Sequence, residues 1–307
     1  MSLSPVVPVL ASMPDLNVFQ YNTVDNIFSM TVATMAASAL FFFLMRSTIA
    51  EAYRPALTVS GIVTAIAAYH YFMIRHSWQD AFVLMSPETS DAAEAGAVIY
   101  QATGAPFNDF YRYADWILTV PLLMVELVAV LRLEKSKATS LLTRLVIAAA
   151  LMIGLGYPGE VIADPERYWE RVIWGSLSSV PFFYILYVLW VELTASLNKQ
   201  PAAAQGLIKT ARLVILITWA VYPIAYALGG TPEALNAKAG VGDASVNANG
   251  IVYLQVGYAI ADMTAKAGFG VLIYFIARAK TAALEEAGVE TEATPAVAPA
   301  AAGAGRR

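Results

Sequence analysis

The sequence predicts an all-α membrane protein: a bundle of seven transmembrane helices, N-terminus outside and C-terminus in the cytoplasm. Three observations carry that prediction. Of 307 residues, 58% are hydrophobic and only 14% charged, and mean hydropathy is +0.59. Soluble domains are about half apolar and a quarter charged. Seven segments reach the roughly 20 apolar residues that cross a hydrocarbon core, and Lys and Arg concentrate in alternate connectors.

The elements follow in order. The stretch "MSLSPVVPVLASMPDLN" has no basic n-region and a Pro-broken apolar run, so residues 1–22 read as a tail rather than a signal peptide. Spans are expected at about 25–46, 54–75, 110–132, 139–161, 170–196, 207–229 and 249–279. Arg46 and Arg54 lie between the first two, Arg132, Lys135, Lys137 and Arg144 after the third, and Lys199, Lys209 and Arg212 after the fifth. The other connectors carry more acid, as in Asp80, Glu88, Asp91 and Glu94, which places the N-terminus outside. The longest connector, Ser77 to Asn108, contains "GAVIYQATGAPF", able to form a small hairpin. Residues 23–281 form the helical domain. Residues 282–307, rich in Ala, Pro, Gly and Glu, read as a disordered tail.

Composition also excludes. A net charge of -4 gives no basic face for nucleic acid, and the absence of cysteine removes disulfides, thiolate nucleophiles and Cys-built metal sites. Two histidines, His70 and His76, do not make a metal centre, so none is expected. The expected partner at this stage is the lipid bilayer, around a multi-pass protein of the plasma or inner membrane.

Chemistry concentrates where charges are costly. Of seven lysines, only Lys266 lies mid-span, in "AIADMTAKAGFGVLIYFIA", with Asp262 one helical turn before it on the same face. A lysine held out of water there offers an amine that can form a Schiff base with an aldehyde. An ion pair serving packing alone is the other reading. The third span, "YRYADWILTVPLLMVELVAVL", contains Arg112, Asp115, Thr119 and Glu126. At about 100° per residue Asp115 and Glu126 differ by roughly 20° around the axis, with Thr119 within about 40°. They form one polar stripe, and the acids stand about 16 Å apart along the axis, half the membrane. Such a stripe suits a two-step proton relay or, more plainly, interhelical hydrogen bonding. Glu126, among Leu122, Leu123, Met124, Val125 and Leu127, is placed as a carboxyl that keeps its proton. His70 in "AAYHYFMIR" is a further intramembrane polar group, whereas His76 reads as surface. Trp116, Trp219, Tyr222 and Tyr226 are core by spacing, yet suit the walls of a rigid conjugated ligand. Pro121 and Pro223 should kink their helices.

These motifs resemble the microbial (type 1) rhodopsins. "RYADWILTVPLLMVEL", "WAVYPIAYAL" and "ADMTAK" look like the third-, sixth- and seventh-helix signatures of that family. "YHYF", "FNDFYRYADW", "LMIGLGYPGE", "WGSLSSVPFFYILYVLWVEL" and "LQVGYAIAD" look like its xanthorhodopsin and Gloeobacter rhodopsin group, over about residues 20–280. The resemblance implies that Lys266 binds all-trans retinal as a Schiff base, with Asp115 as proton acceptor and primary counterion and Asp262 as second counterion. It implies Arg112, His70 and Thr119 as the counterion network, His70 bonded to the acceptor, and Glu126 as proton donor. Trp116, Trp219, Tyr222, Pro223 and Tyr226 would wall the polyene; Met152, Gly156, Ser178, Ser179 and Phe182 would surround its ring. Leu123 stands where leucine goes with green absorption. Gly175 stands where a glycine opens a window for a carotenoid antenna; close helix packing is its other reading. Met263 and Thr264 depart from the Val and Leu usual in close relatives, and the loops after the second span and before the seventh are longer.

The function so implied is a light-driven outward proton pump, not an enzyme, in a homo-oligomer (pentamer or trimer), with a carotenoid as a possible second cofactor. The alternative is a sensory rhodopsin signalling to a transducer, which commonly lacks the carboxyl found here at Glu126. Chloride and sodium pumps carry other residues in the acceptor triad. A retinal-free transporter built on the Asp262–Lys266 pair is a third reading.

Overall fold

The structure, a computed structural model, describes residues 13–85, 99–108, 110–162, 164–238, 244–289 and 291. Helix α1 spans Val18–Met45 and α2 Arg54–Asp80. Then come α3 (Phe110–Leu131), α4 (Lys135–Glu160), α5 (Tyr168–Leu197) and α6 (Ala202–Leu228). A short α7 (Pro232–Lys238) precedes α8 (Ala244–Asp262) and α9 (Phe269–Glu286), which a π-helical turn, Met263–Gly268, joins into one element. Among the described residues, seven helices are long and apolar enough to cross a membrane. Neighbours in sequence pack as neighbours in space, α1 on α2, α2 on α3 and α4 on α5, and the last span closes the bundle against α1 and α6.

The bundle is apolar outside as well as inside. Within the fifth and sixth spans only 22% of the most apolar stretch is buried by the protein itself. Leu151, Ile173, Val180, Phe183 and Ile217 point outward. Water would not tolerate such a surface; hydrocarbon does.

The helices outrun the expected spans. Asn17 caps α1 by accepting from Gln20 N while the Gln20 side chain accepts from Asn17 N, so the tail expected to reach residue 22 gives way to helix at Val18. The sequence carried that signal, Asn17 three residues before Gln20. At the other end α9 continues to Glu286, five residues into the region read as tail. Residues 1–12 and 292–307 of the two tails, and 86–98 of the long connector, lie outside the described residues.

The expected hairpin takes different partners. Ile99–Ala102 forms β3, but it does not fold back on its own flank. It pairs antiparallel with β2 (Phe82–Met85) on one side and with β1 (Leu16–Asn17) on the other. Leu16 stands opposite Tyr100 and Phe82 opposite Ala102. Beneath this sheet Tyr21 stacks on Tyr100 with ring centroids 3.6 Å apart, and Trp78, Phe28 and Phe107 fill the end of the bundle. Long-range aromatic packing therefore outweighed the local turn preference.

Candidate functional site

Every ionisable group of the two charged stripes faces inward. Arg112, Asp115, Thr119 and Glu126 on α3 and Asp262 and Lys266 on the last span are all at most 2% exposed. The π turn lies under Lys266 itself, a position where such single turns often mark functional sites.

Lys266 Nζ sits between two carboxylates that are not equivalent. It donates to Asp115 Oδ2, and it lies 3.2 Å from Asp262 Oδ1. Asp262 accepts from Tyr71 Oη at 2.7 Å, Tyr222 Oη at 2.6 Å and Trp116 Nε1 at 3.2 Å. Donors surround both its oxygens, so it is held as an anion. Asp115 has only the lysine: its Oδ1 is buried with no hydrogen bond among the described residues. One carboxylate is saturated, the other retains an open acceptor.

The rest of the stripe is arranged around that asymmetry. Thr119 Oγ1 donates to the Asp115 carbonyl at 2.9 Å. Arg112 Nη2 donates to Gln255 Oε1 at 2.7 Å, and its guanidinium lies 4.8 Å from the Tyr258 ring centroid. His70 is beside Asp115 but not bonded to it. Its Nδ1 is 3.9 Å from Asp115 Oδ1, beyond hydrogen-bond range, and 3.0 Å from the Ile66 carbonyl one turn back. The ring can serve only one acceptor through Nδ1, and the local backbone has it.

Glu126 lies toward the other end of α3. Ser60 Oγ is 2.7 Å from Glu126 Oε1 and 3.2 Å from the Ala56 carbonyl. Ser60 Oγ is the donor in both contacts and shares its one hydrogen between them, while Glu126 Oε2 is buried with no hydrogen bond among the described residues.

A cavity of about 340 Å³ runs from Lys266 between α3, α4, α5 and α6. Leu123, Met152, Gly156, Ser178, Ser179, Phe182, Trp116, Trp219, Tyr222, Pro223 and Tyr226 all line it. Gly156 makes room at its far end: a Cβ there would come 3.2 Å from Ser178 Oγ, which donates to the Met152 carbonyl at 2.6 Å. Gly175 also lines it, and a Cβ there would lie 2.5 Å from Tyr226 Cε1. Past Gly175 the cavity continues to Tyr168, Arg171, Ser176 and Gly230.

Sequence reasoning missed Ser60, Tyr71, Gln255 and Tyr258. Gln255 and Tyr258 had a readable signal, since they precede Asp262 by seven and four residues and share its helix face. Tyr71 follows His70 directly, but its reach across 191 residues to Asp262 leaves no local trace. Nor does the Ser60–Glu126 contact.

Residues 22–280 match the family described as bacteriorhodopsin-like protein. The chain is 32% identical over 264 residues to the green-light absorbing proteorhodopsin of the gamma-proteobacterium EBAC31A08, covering 86% of this chain and 89% of that one. Its structure is similar to that of xanthorhodopsin, described as a light-driven ion pump with dual chromophore (46% identity, TM-score 0.76, 91% of this chain and 100% of that one). A thermophilic rhodopsin is similar too, with 44% identity and a TM-score of 0.77 over 89% of this chain and 99% of that one. The buried lysine between unequal carboxylates thus sits in a shared fold, and this multi-pass membrane protein belongs to the bacteriorhodopsin-like family of microbial rhodopsins.

Proposed function

We propose that the protein is a light-driven proton pump that carries protons outward, using all-trans retinal held through Lys266. The residues fit that group. The cavity ends on a buried amine flanked by acids, its walls are flat aromatics, and its volume of about 340 Å³ falls within the about 300–1,000 Å³ typical of small-molecule sites. Bound there, retinal supplies light absorption and, once its shape has changed, a weaker hold on the proton at the lysine nitrogen. The chain's own residues do the rest. Asp115 receives the proton through its open oxygen, while Asp262, held by Tyr71, Tyr222 and Trp116, keeps its charge and balances the site. Arg112, Gln255 and Tyr258 stand on the sheet side of Asp115, where the proton leaves. Glu126 and Ser60 return one from the opposite side, about 16 Å along α3.

The carrying observation is the inequality of the two carboxylates together with a fully buried carboxyl further along the same helix face. Illuminated cells expressing the protein with retinal should acidify their medium, and a protonophore should abolish the signal. Alkalinisation would overturn the direction; a cycle of seconds with no net transport would favour a sensory role. Glu126→Gln should leave the first proton transfer intact and slow recovery of the resting state roughly 100-fold, the usual scale for a lost proton-transfer group. Flash spectroscopy reads both steps separately, and unchanged recovery would remove Glu126 from the donor role.

A carotenoid antenna is part of the same reading. Its support is the extension of the cavity past Gly175, together with the dual chromophore described for xanthorhodopsin. Gly175→Trp should eliminate carotenoid-to-retinal transfer in the excitation spectrum while keeping the retinal band. Transfer that survives would place the antenna elsewhere.

A further inference from the structure

A second cavity, about 400 Å³, opens at the end of the bundle remote from the sheet. There the end of α3, the α5–α6 connector and the end of α9 converge with Tyr53 at the start of α2. Four cationic side chains line it, Arg132, Lys137, Lys199 and Lys280, against one carboxylate, Glu134. Lys137 is engaged elsewhere, 2.6 Å from Glu192. Among the described residues no carboxylate pairs with Arg132, Lys199 or Lys280.

Lys280 is the unusual member. It stands near the end of the last span, yet it is only 5% exposed. Its Nζ donates to the Val130 carbonyl at 2.8 Å and lies 3.3 Å from the Leu131 carbonyl, 4.9 Å from the Tyr53 ring centroid. Those contacts fix the ammonium at the last turn of α3, where the helix dipole favours a cation. An ammonium has three hydrogens and the two carbonyls take at most two. A buried cation normally comes with a counter-charge, and this one faces a cavity where, among the described residues, Arg132 and Lys199 also have no carboxylate partner. Arg132 is held at the rim in the left-handed region, φ 54°, with Nη1 donating to the Ala52 carbonyl at 3.3 Å. A non-glycine residue in that conformation is uncommon. Gln200 adds a buried amide, whose Nε2 spends one of its two hydrogens on the Leu131 carbonyl at 3.4 Å, and Leu131, Pro201 and Leu284 give one wall an apolar surface.

We propose that this cavity binds a phosphate-bearing anion. Point charges at the ends of three separate spans, the Gln200 amide among them and a partly apolar wall match a phosphate group. The volume has room for a bare phosphate or for the phosphoglycerol head of a membrane lipid. Once bound, the anion ties Arg132 after α3, Lys199 after α5 and Lys280 on α9 to one centre, and so fastens the ends of three spans together. The site is independent of the retinal reading: none of its residues lines the first cavity.

The test uses the full chain with retinal, purified in a neutral detergent. Equilibrium dialysis with labelled inorganic phosphate at constant ionic strength covers the soluble source. Native mass spectrometry with phosphatidylglycerol against phosphatidylcholine covers the lipid source. Saturable binding of one phosphate per chain, or selective retention of one phosphatidylglycerol, supports the site and identifies which source fills it. Lys199→Gln combined with Lys280→Met should weaken that binding at least about tenfold, the scale of a lost charge-assisted hydrogen bond. Since Lys280→Met removes a buried group, Arg132→Gln with Lys199→Gln, both at exposed positions, provides a second variant with the same expected loss. Circular dichroism and thermal melting confirm that each variant folds. Binding of neither probe, or binding equal in wild type and in both folded variants, overturns the proposal.

Discussion

Lys266→Ala yields a protein with no visible absorption band after all-trans retinal is added, and no light-driven pH change. No other described lysine lines the retinal cavity, so no second amine can stand in for it. The change also strips Asp115 and Asp262 of the cation between them. Breaking a buried ion pair costs about 3–5 kcal/mol, so the variant should melt earlier while keeping its helical circular dichroism. Spectrophotometry during titration with retinal is the direct check. A band of normal intensity in the variant would sink both the attachment point and the function built on it.

The second large effect is expected from Asp115→Asn. The amide keeps the shape of the acid but cannot take up a proton, and the saturated Asp262 cannot replace it. Net transport should fall about 100-fold or more. The absorption band should move to longer wavelength, because a counter-charge that stabilises the positive ground state at Nζ has been withdrawn. Pumping close to wild type would show that Asp262 is the acceptor after all and that its hydrogen bonds are not permanent. The two variants are complementary: one removes the chromophore, the other leaves it coloured and idle.

Much of this site was legible in the sequence because its groups are expensive. A lysine or acid in the middle of an apolar helix announces itself, and helical spacing alone places Arg112, Asp115, Thr119 and Glu126 on one face. What spacing cannot show is which partner satisfies which oxygen. Tyr71, Ser60 and Gln255 are ordinary residues for their helices, and their importance lies in contacts across the bundle. The π turn beneath Lys266 is equally silent, since "MTAKAG" reads as plain helix and only tertiary packing makes it wider. Lys280 is equally unmarked in the sequence: it stands near a helix end, and only the carbonyl end of α3 lying against it keeps it inside.

The three-stranded sheet has a consequence for how the chain is made. Leu16 and Asn17 pair with Tyr100 and Ile99, so two entire spans must be synthesised and inserted before the first strand can meet its partner. Loop closure over that distance is slow relative to helix formation. A segment that leaves the ribosome early therefore waits, unpaired, until residues 99–102 arrive. The clasp at that end of the bundle can close only once the first two helices are in place, and it needs none of the five spans that follow.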